Sequence, residues 1–364
     1  MKKIIFILDS ITSQNGIKRI DEFYDKGYDV IAFGFDRKDK IKRKSEKVAI
    51  KIVDSFTNDV PYKSRIHIIY KGIKSVLKNT NRDDCVYYLV GPNVGMTFSL
   101  VSKRKYIYEE EDMPHTYIKN KFIKNFFEKI DKHVIKKSIL SVFTSEGFIH
   151  YHFGNNTPNN VIVIPNRLNN AILSFPTVDK DPFDIKHIKF GFVGSIRFDN
   201  IYLFAHTICE YFPQHEIHFF GTFGSDQAIN KFKKLERYSN CFFYGRFNNP
   251  DDLPQIYSKI DFVLSTYDVN SDNVRCAEPN KLYESLYFKT PIIVSKGTFL
   301  SEKVQKLGIG FSIEVTENNV LEFLNKISMS EIKTVQEKLL SYPPQYSINN
   351  NVSFFEKFSQ VFSD

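Results

Sequence analysis

Tryptophan is absent from the 364-residue sequence, and cysteine is scarce. The four cysteines, Cys85, Cys209, Cys241 and Cys276, lie far apart and form no C-x-x-C pair. This spacing argues against a disulfide framework and against a cysteine-based zinc site, and it fits a reducing, cytoplasmic location. No apolar run approaches the roughly 18 residues of a membrane-spanning helix, so none is predicted.

Two common nucleotide-binding signatures are also missing. No G-x-G-x-x-G follows the first apolar segment, and no G-x-x-x-x-G-K-[ST] occurs, which excludes a standard dinucleotide-binding fold and a P-loop. His150-x-His152 has no third ligand nearby in the sequence. It is therefore interpreted as a strand or loop pair, and no metal is predicted.

The remaining composition is that of a soluble globular protein, with 42% hydrophobic and 25% charged residues. The net charge of +8 favours an anionic partner such as nucleic acid, anionic lipid or a nucleotide diphosphate, although a lysine-rich surface that serves solubility explains it equally well. The 35 Phe and 20 Tyr residues fall mostly at predicted core positions. This distribution argues against an RNA-binding protein, so no nucleic-acid partner is predicted.

Short apolar runs alternate with helical patterns through both halves of the chain, which predicts two doubly wound α/β domains with parallel sheets. The predicted domains are 1–168 and 188–345, joined by a polar linker at 169–187. Segment 346–364 carries an aromatic amphipathic helix that is predicted to pack back on the first domain. Ligands of such sheets bind beyond the carboxyl ends of the strands, so the residues that follow each strand are the candidates for a site. The predicted strands are Lys3–Leu8, Asp29–Phe35, Val48–Val53, Val86–Val90, Lys105–Tyr108, Ser141–Thr144, Val161–Ile164, Lys189–Val193, Glu216–Phe220, Cys241–Tyr244, Asp261–Ser265, Pro291–Val294 and Gly310–Ile313.

Two segments of the second half carry candidate chemistry. Gly191-Phe192-Val193-Gly194-Ser195-Ile196-Arg197 places a glycine at a strand end with a helix behind it, an arrangement that suits phosphate. The alternative is a tight turn with a solvated arginine. In Glu278-Pro279-Asn280-Lys281-Leu282-Tyr283-Glu284, Glu284 has the chemistry to bind a ribose diol and Lys281 to bind phosphate. The alternative is an exposed Glu–Lys pair at i, i+3.

The order of several motifs resembles the donor-binding half of a GT-B glycosyltransferase, closest to the family-4-like bacterial enzymes of surface polysaccharide assembly. The first half adds weaker matches. The matching motifs are Gly191–Arg197, Phe243-Tyr244-Gly245-Arg246, Tyr257-Ser258-Lys259-Ile260-Asp261, Pro279–Glu284 and Thr290-Pro291-Ile292-Ile293, with Tyr108-Glu109 and Asp112, Thr144-Ser145-Glu146-Gly147 and Ile164-Pro165-Asn166 in the first half.

The resemblance implies two Rossmann-like domains facing a central cleft. It also implies metal-independent transfer of a sugar, with retention, from a UDP or GDP donor to a hydroxyl of a glycan or polyprenyl-linked acceptor. Glu284 would hold the ribose. The other implied donor-binding residues are Gly194, Ser195, Arg197 and Lys281 at the diphosphate, Tyr244, Gly245 and Arg246 at the base, and Glu278, Pro279, Asn280 and Leu282 around them. The implied acceptor-side residues are Asn15, Gly16, Glu109 and Asp112.

Two positions depart from the family pattern. The first of the usual pair of glutamates, eight residues before Glu284, is Cys276, and the nearby Glu278 is out of register. The lysine expected soon after Arg197 is replaced by Phe198-Asp199-Asn200. These departures leave open an inactive GT-B binding module, and a GT-B sugar-nucleotide epimerase is a further alternative.

The expected chemistry needs cations that stabilise the leaving nucleotide diphosphate, and Arg197 and Lys281 are the candidates. If the reaction inverts the anomeric centre, a base is required, and Asp112, Glu109 and His115 are the candidates. The alternative for 109–112 is an exposed acidic loop.

Residues 117–139 form a basic amphipathic pattern. Ile118, Phe122, Phe126, Ile130 and Val134 recur at i+4 among many lysines, which is typical of a helix that lies on an anionic membrane. The basic run 37–47 would assist such an association with the inner leaflet. The alternative is an ordinary core-facing helix.

Overall fold

The computed structural model describes residues 3–38, 44–57, 59–80, 85–176, 180 and 182–363. The chain divides into two compact units. The first contains Met1–Ile164 together with Asn351–Asp364, and the second contains Pro165–Asn350.

A parallel sheet of seven strands, counted over the described residues, forms the centre of the first unit. Its strands are β1 (Lys3–Leu8), β2 (Asp29–Asp36), β3 (Ile50–Ser55), β4 (Cys85–Val90), β5 (Tyr106–Glu110), β6 (Leu140–Phe143) and β7 (Val161–Val163), and its helices are α1 (Gln14–Asp25), α2 (Tyr62–Asn79), α3 (Pro92–Val101), α4 (Lys121–Lys137) and α5 (Glu146–Phe153), with a 3-10 turn at Pro114–Tyr117. The strand order is β3-β2-β1-β4-β5-β6-β7. The order reverses direction between β1 and β4, which is where open sheets of this kind bind ligands.

The second unit is built on a six-stranded parallel sheet, again counted over the described part of the chain. Its strands are β8 (Lys189–Val193), β9 (Glu216–Phe220), β10 (Cys241–Gly245), β11 (Phe262–Ser265), β12 (Ile292–Ser295) and β13 (Gly310–Ile313), and its helices are α6 (Asp199–Tyr211), α7 (Asp226–Phe232), α8 (Leu253–Ser258), α9 (Asp272–Cys276), α10 (Lys281–Phe288), α11 (Phe299–Leu307), α12 (Glu317–Lys326) and α13 (Met329–Ser341). The order is β10-β9-β8-β11-β12-β13. Buried apolar clusters cover both faces of this sheet, as expected for parallel strands that carry helices on either side.

The C-terminal helix α14 (Val352–Ser363) packs on the first unit. Phe354 and Phe358 are buried in the core of that unit, and their rings lie 5.8 and 5.0 Å from the ring of Phe23 on α1. Lys357 Nζ donates to the Val161 carbonyl at 2.8 Å.

Two local expectations from the sequence are wrong. Strand β5 extends through Glu110, and Glu109 and Glu110 are fully buried, so the alternative of an exposed acidic loop fails for both. His150 and His152 lie on α5 rather than on a strand or loop. No helix within the described ranges has the length and apolar character to cross a membrane.

Candidate functional site

The carboxyl ends of β8 and β9 meet in a close backbone contact. Gly194 follows β8 with φ of 141°, and Gly221 follows β9 with φ of 147°. Residues other than glycine rarely adopt either backbone conformation. A Cβ at Gly221 would lie 1.8 Å from the Gly194 carbonyl oxygen. Backbone rather than side chain therefore lines this edge of the sheet.

The amine of Lys281 lies beside this backbone. A Cβ built on Gly194 would sit 3.1 Å from Lys281 Nζ. Burial lowers the pKa of Lys281, but the nearby Glu284 and Tyr267 together raise it, and the net result is a pKa above the usual value. The carboxyl end of β8 thus carries a cation at neutral pH, and a cation at this position attracts anions.

Glu284, on α10, is only 1% exposed. Its Oε2 accepts a hydrogen bond of 2.6 Å from the buried Tyr257 hydroxyl. The Tyr257 ring is fixed in turn by stacking on Phe288 at 4.6 Å. This burial excludes the alternative of an exposed Glu–Lys pair.

Glu278 is also buried, and both of its carboxylate oxygens have partners. Oε1 accepts from the Tyr283 hydroxyl, and Oε2 forms an ion pair of 2.6 Å with Lys303 on α11. Cys276, at the end of α9, has its pKa raised to about 11 by burial. Its thiol is therefore neutral at physiological pH, whereas the glutamate of the family pattern would be charged.

The other predicted donor-side residues on this stretch have mainly structural contacts. Leu282 is fully buried in the core, and its amide donates to the Pro279 carbonyl at 3.1 Å. Asn280 precedes α10, and its carbonyl accepts from the Glu284 amide at 2.9 Å. These residues set the start of α10 and thereby position Lys281 and Glu284.

Ser195 and Arg197 are exposed in the loop after β8. The Arg197 guanidinium lies over the Phe198 ring at 4.9 Å. The start of α6 is capped by a carboxylate, because the amides of Asp199 and Asn200 donate to Asp268 at 3.0 and 2.7 Å. The helix start that the sequence suggests for phosphate thus already has an anionic partner at two of its amides. This partner, Asp268, was not predicted from the sequence.

Tyr244, Gly245 and Arg246 lie exposed at the end of β10. The Tyr244 ring stacks on Phe220 at 4.5 Å, nearly parallel, and its hydroxyl lies 3.0 Å from His218 Nδ1. The Lys259 amine also lies over the Tyr244 ring, 5.2 Å from its centre. The end of β10 thus carries a half-exposed tyrosine beside a positive-φ glycine.

In the first unit, Asn15 and Gly16 lie in the first turn of α1. The Gly16 amide donates to Ser13 Oγ at 3.0 Å, and the Ser13 hydroxyl donates to Glu111 at 3.1 Å. Burial and the nearby Glu109 raise the pKa of Glu111 to about 8. Sequence reasoning passed over Glu111, although burial brings its pKa close to neutral pH.

Glu109 is buried opposite Arg19. The Arg19 guanidinium donates to both carboxylate oxygens, at 3.2 and 3.1 Å, and the Tyr88 hydroxyl donates to Oε2 at 2.5 Å. Asp112 is exposed, whereas His115 is buried. The three candidate bases therefore differ in exposure: Glu109 and His115 are buried, and Asp112 is exposed.

A second polar group at the carboxyl ends of β1, β2 and β4 was missed by sequence reasoning. Asp9 Oδ2 lies 2.6 Å from Arg37 and accepts from Asn93 at 3.0 Å. The signal was available, since each of these residues follows a predicted strand.

His115 belongs to a buried cluster with Glu110, Asp131 and His152. Asp131 Oδ2 lies 3.6 Å from His115 Nδ1 and 3.8 Å from His152 Nε2. Burial and the nearby Glu110 raise the pKa of Asp131 well above its usual range, and burial likewise raises the pKa of Glu110. Sequence reasoning did not connect these residues, because 42 positions separate Glu110 from His152.

The N-terminal half of α4 exposes large apolar side chains. Phe122 is 87% and Phe126 61% exposed. In the described part of this helix only Asp131, Val134 and Ile135 are buried. The alternative of an ordinary core-facing helix therefore fits the C-terminal half of α4 and not its first turns. Residues 39–43 of the basic run 37–47 lie outside the described residues, and Arg37 and Lys47 pair with Asp9 and Asp25.

Neither a family model nor a curated protein matches the sequence. Solved structures do match over the whole chain. The sucrose-phosphate synthase of Thermosynechococcus elongatus shows a TM-score of 0.71 at 12% identity, covering 100% of both chains. HepE of Anabaena, in complex with UDP and glucose, shows 0.67 at 13% identity, again over 100% of both chains. The lipopolysaccharide outer core galactosyltransferase WaaB, in its apo form, shows 0.60 at 15% identity over 99% of each chain.

These matches, together with the two parallel-sheet units, define a GT-B fold and confirm the predicted fold class. Of these three proteins, WaaB is named a galactosyltransferase and HepE was solved with UDP and glucose. At such low identity the likeness establishes the fold, and the function has to be argued from the residues of this chain.

Proposed function

We propose that this chain is a glycosyltransferase that moves a sugar from a nucleotide-diphosphate donor to a hydroxyl of a glycan or polyprenyl-linked oligosaccharide. The observation that carries the proposal is Lys281 Nζ lying against the Gly194 backbone, on the same helix as the buried carboxylate of Glu284. A cation beside a strand end that is lined by glycine backbone suits a diphosphate. A carboxylate oriented by Tyr257 suits the two hydroxyls of a ribose.

UDP is the proposed donor nucleotide, with GDP second. HepE of Anabaena, which shares the fold, has been solved with UDP and with UDP-glucose. The exposed Tyr244, held by stacking on the buried Phe220, offers an aromatic side chain for the base at the end of β10.

In the proposed reaction, the acceptor hydroxyl oxygen bonds to the anomeric carbon while the bond from that carbon to the β-phosphate oxygen breaks. The electron pair of the broken bond leaves with the nucleotide diphosphate, and Lys281 and Arg197 stabilise the charge that develops there. We assign retention, with the hydroxyl proton passing to the departing phosphate. Inversion would require a base, and two of the three candidate bases are occupied or enclosed. Glu109 is paired with Arg19, and His115 is buried beside Asp131.

The proposal is tested by incubating the protein with UDP- and GDP-sugars and a polyprenyl-linked acceptor, and by measuring nucleotide release and glycosylated product. Replacing Lys281→Met should lower kcat by about 10²- to 10³-fold, as loss of one charge-stabilising group does in other enzymes. The matched control is Lys306→Met, an exposed lysine on α11, which should keep wild-type turnover. Equal turnover of Lys281→Met and wild type would contradict the assignment.

A binding module without transferase activity is the second candidate, favoured by one observation. The position of the family's first glutamate holds a neutral thiol, since burial raises the pKa of Cys276 to about 11, and Glu278 is held by Tyr283 and Lys303. The same assay separates the candidates, because a binding module would bind the nucleotide sugar and release no nucleotide with any acceptor.

We also propose that the exposed side of α4 binds the surface of an anionic membrane, where a polyprenyl-linked acceptor would be found. Phe122, Ile123 and Phe126 are exposed among Lys121 and Lys129. Exposed apolar side chains flanked by lysines have the chemistry for binding at the headgroup boundary.

Co-sedimentation with vesicles tests this association. Wild type should bind vesicles of anionic lipid and not those of zwitterionic lipid alone. The double change Phe122→Ser with Phe126→Ser should weaken binding by at least about tenfold, because two aromatic side chains lose their apolar burial. Leu340→Ser, at an equally exposed leucine of α13, is the control. Unchanged binding of the double variant would refute the role of α4.

A further inference from the structure

Four buried side chains of the first unit take no part in the proposed transfer. Glu110 ends β5, His115 lies in the 3-10 turn Pro114–Tyr117, Asp131 is on α4 and His152 is on α5. Each is at most 4% exposed. Four separate elements therefore contribute one metal-ligating side chain each to a single buried cluster.

The distances within this cluster are those of converging ligands. His152 Nε2 lies 2.9 Å from Glu110 Oε1 and 3.8 Å from Asp131 Oδ2, which in turn lies 3.6 Å from His115 Nδ1. Ligand atoms bound tetrahedrally at about 2.0–2.1 Å lie roughly 3.3 Å from one another. The ligand atoms of Glu110, Asp131 and His152 all lie within 4.8 Å of one another, and a side-chain shift of His115, whose Nδ1 neighbours Asp131 Oδ2, would bring a fourth ligand atom to the same centre.

The charge of the two carboxylates is not balanced by lysine or arginine. Among the described residues, the ion pairs of Glu110 and Asp131 are with the two histidines, whereas the neighbouring Glu109 is paired with Arg19. Glu110 Oε2 and Asp131 Oδ2 are buried atoms that accept no hydrogen bond. If both carboxyl groups ionise, as metal binding requires, they carry a large desolvation cost, and a divalent cation with two neutral imidazoles would balance their charge.

We propose that Glu110, His115, Asp131 and His152 bind one Zn²⁺ ion. The mixed set of two imidazole nitrogens and two carboxylate oxygens suits zinc, because magnesium and calcium prefer oxygen ligands throughout. Tyr108 supplies the outer hydrogen bond that ligating carboxylates require, since its hydroxyl donates to Asp131 Oδ1 at 2.9 Å. The ion fastens α4 and α5 to the end of β5 and takes no step in sugar transfer.

The test uses untagged, full-length protein purified without chelator from zinc-supplemented cells. Elemental analysis should find one zinc per chain. Removal with a chelator should lower Tm, and added Zn²⁺ should restore it at one equivalent. Co²⁺ added to the chelated protein should give the visible absorption bands of a four-coordinate site.

Two conservative variants locate the ion. Asp131→Asn and His152→Gln should each reduce bound zinc at least tenfold and remove the Tm response to Zn²⁺. His218→Gln is the matched control, since His218 is also a buried imidazole paired with a carboxylate, and it should keep one zinc. If a variant does not fold, the wild-type stoichiometry and Co²⁺ spectrum still decide. Wild type without zinc and without a Tm response, or equal zinc in wild type, Asp131→Asn and His152→Gln, would overturn the proposal.

Discussion

Buried carboxylates in this chain differ in the partners that hold their charge. Glu109 and Glu278 each form an ion pair with a basic side chain. Glu284 accepts a hydrogen bond from the neutral hydroxyl of Tyr257. An ion-paired carboxylate has little capacity left for a ligand, whereas a carboxylate held by one hydroxyl keeps acceptor positions for a diol. This difference is the reason that the proposed ribose contact falls on Glu284.

Glu111 should make stability depend on pH. Its folded-state pKa is about 8 against an ordinary 4.5, so the folded state binds its proton more tightly than the unfolded chain does. The contribution of Glu111 to stability is therefore fully present below about pH 4.5 and is lost as pH rises through about 8. Between pH 5 and pH 9 the wild type should lose about 2 kcal/mol more than Glu111→Gln, after allowance for partial solvent exposure.

Urea unfolding of both proteins at the two pH values measures this difference. The exposed Glu337→Gln on α13 serves as the control and should follow the wild type. If the wild type and Glu111→Gln lose the same free energy between pH 5 and pH 9, the elevated pKa is wrong.

At the scale of the elements, the contact between the ends of β8 and β9 depends on two glycines. Alanine at Gly221 would place its Cβ 1.8 Å from the Gly194 carbonyl oxygen, in a backbone conformation with φ of 147°. The strands must separate to relieve this overlap. Gly221→Ala should therefore lower the free energy of unfolding by about 3 kcal/mol or more and weaken nucleotide binding.

Gly297→Ala separates backbone strain from steric overlap. Gly297 also has positive φ, at 81°, but nothing lies within 4 Å of its would-be Cβ. The expected loss is about 1 kcal/mol. Denaturant unfolding of the two variants gives the comparison, and equal losses would rule out the close contact between the strand ends.

The sequence predicted those elements whose ends carry a strong local signal. Strand β8 was predicted at its observed bounds, because an apolar run ends directly at Gly194. The predicted strand stops at Tyr108, two residues before the end of β5, because Glu109 and Glu110 look like surface residues. Their burial depends on partners that are distant in the sequence, such as Arg19 and Asp131. The motif of Lys281 and Glu284 likewise suggests their chemistry, which stays a prediction, whereas the capping of α6 by Asp268 depends on tertiary contact.

At the scale of the whole molecule, hydrophobic patterning is sufficient for the fold. Proteins with 12–15% identity share this GT-B fold over nearly their full length. The sheets require apolar runs at the strand positions and helix faces that cover them, and many sequences meet that requirement. The proposed activity depends instead on a few residues at the strand ends, and it requires that those residues bind a nucleotide.

Thermal unfolding with UDP, GDP, ADP and CMP tests that claim most directly. UDP at 100 times its dissociation constant should stabilise the wild type by about 2.7 kcal/mol. Glu284→Gln should remove this stabilisation, while the exposed Glu302→Gln on α11 should retain it. A wild type that no nucleotide stabilises, or a Glu284→Gln variant stabilised as strongly as the wild type, would contradict the proposed donor site.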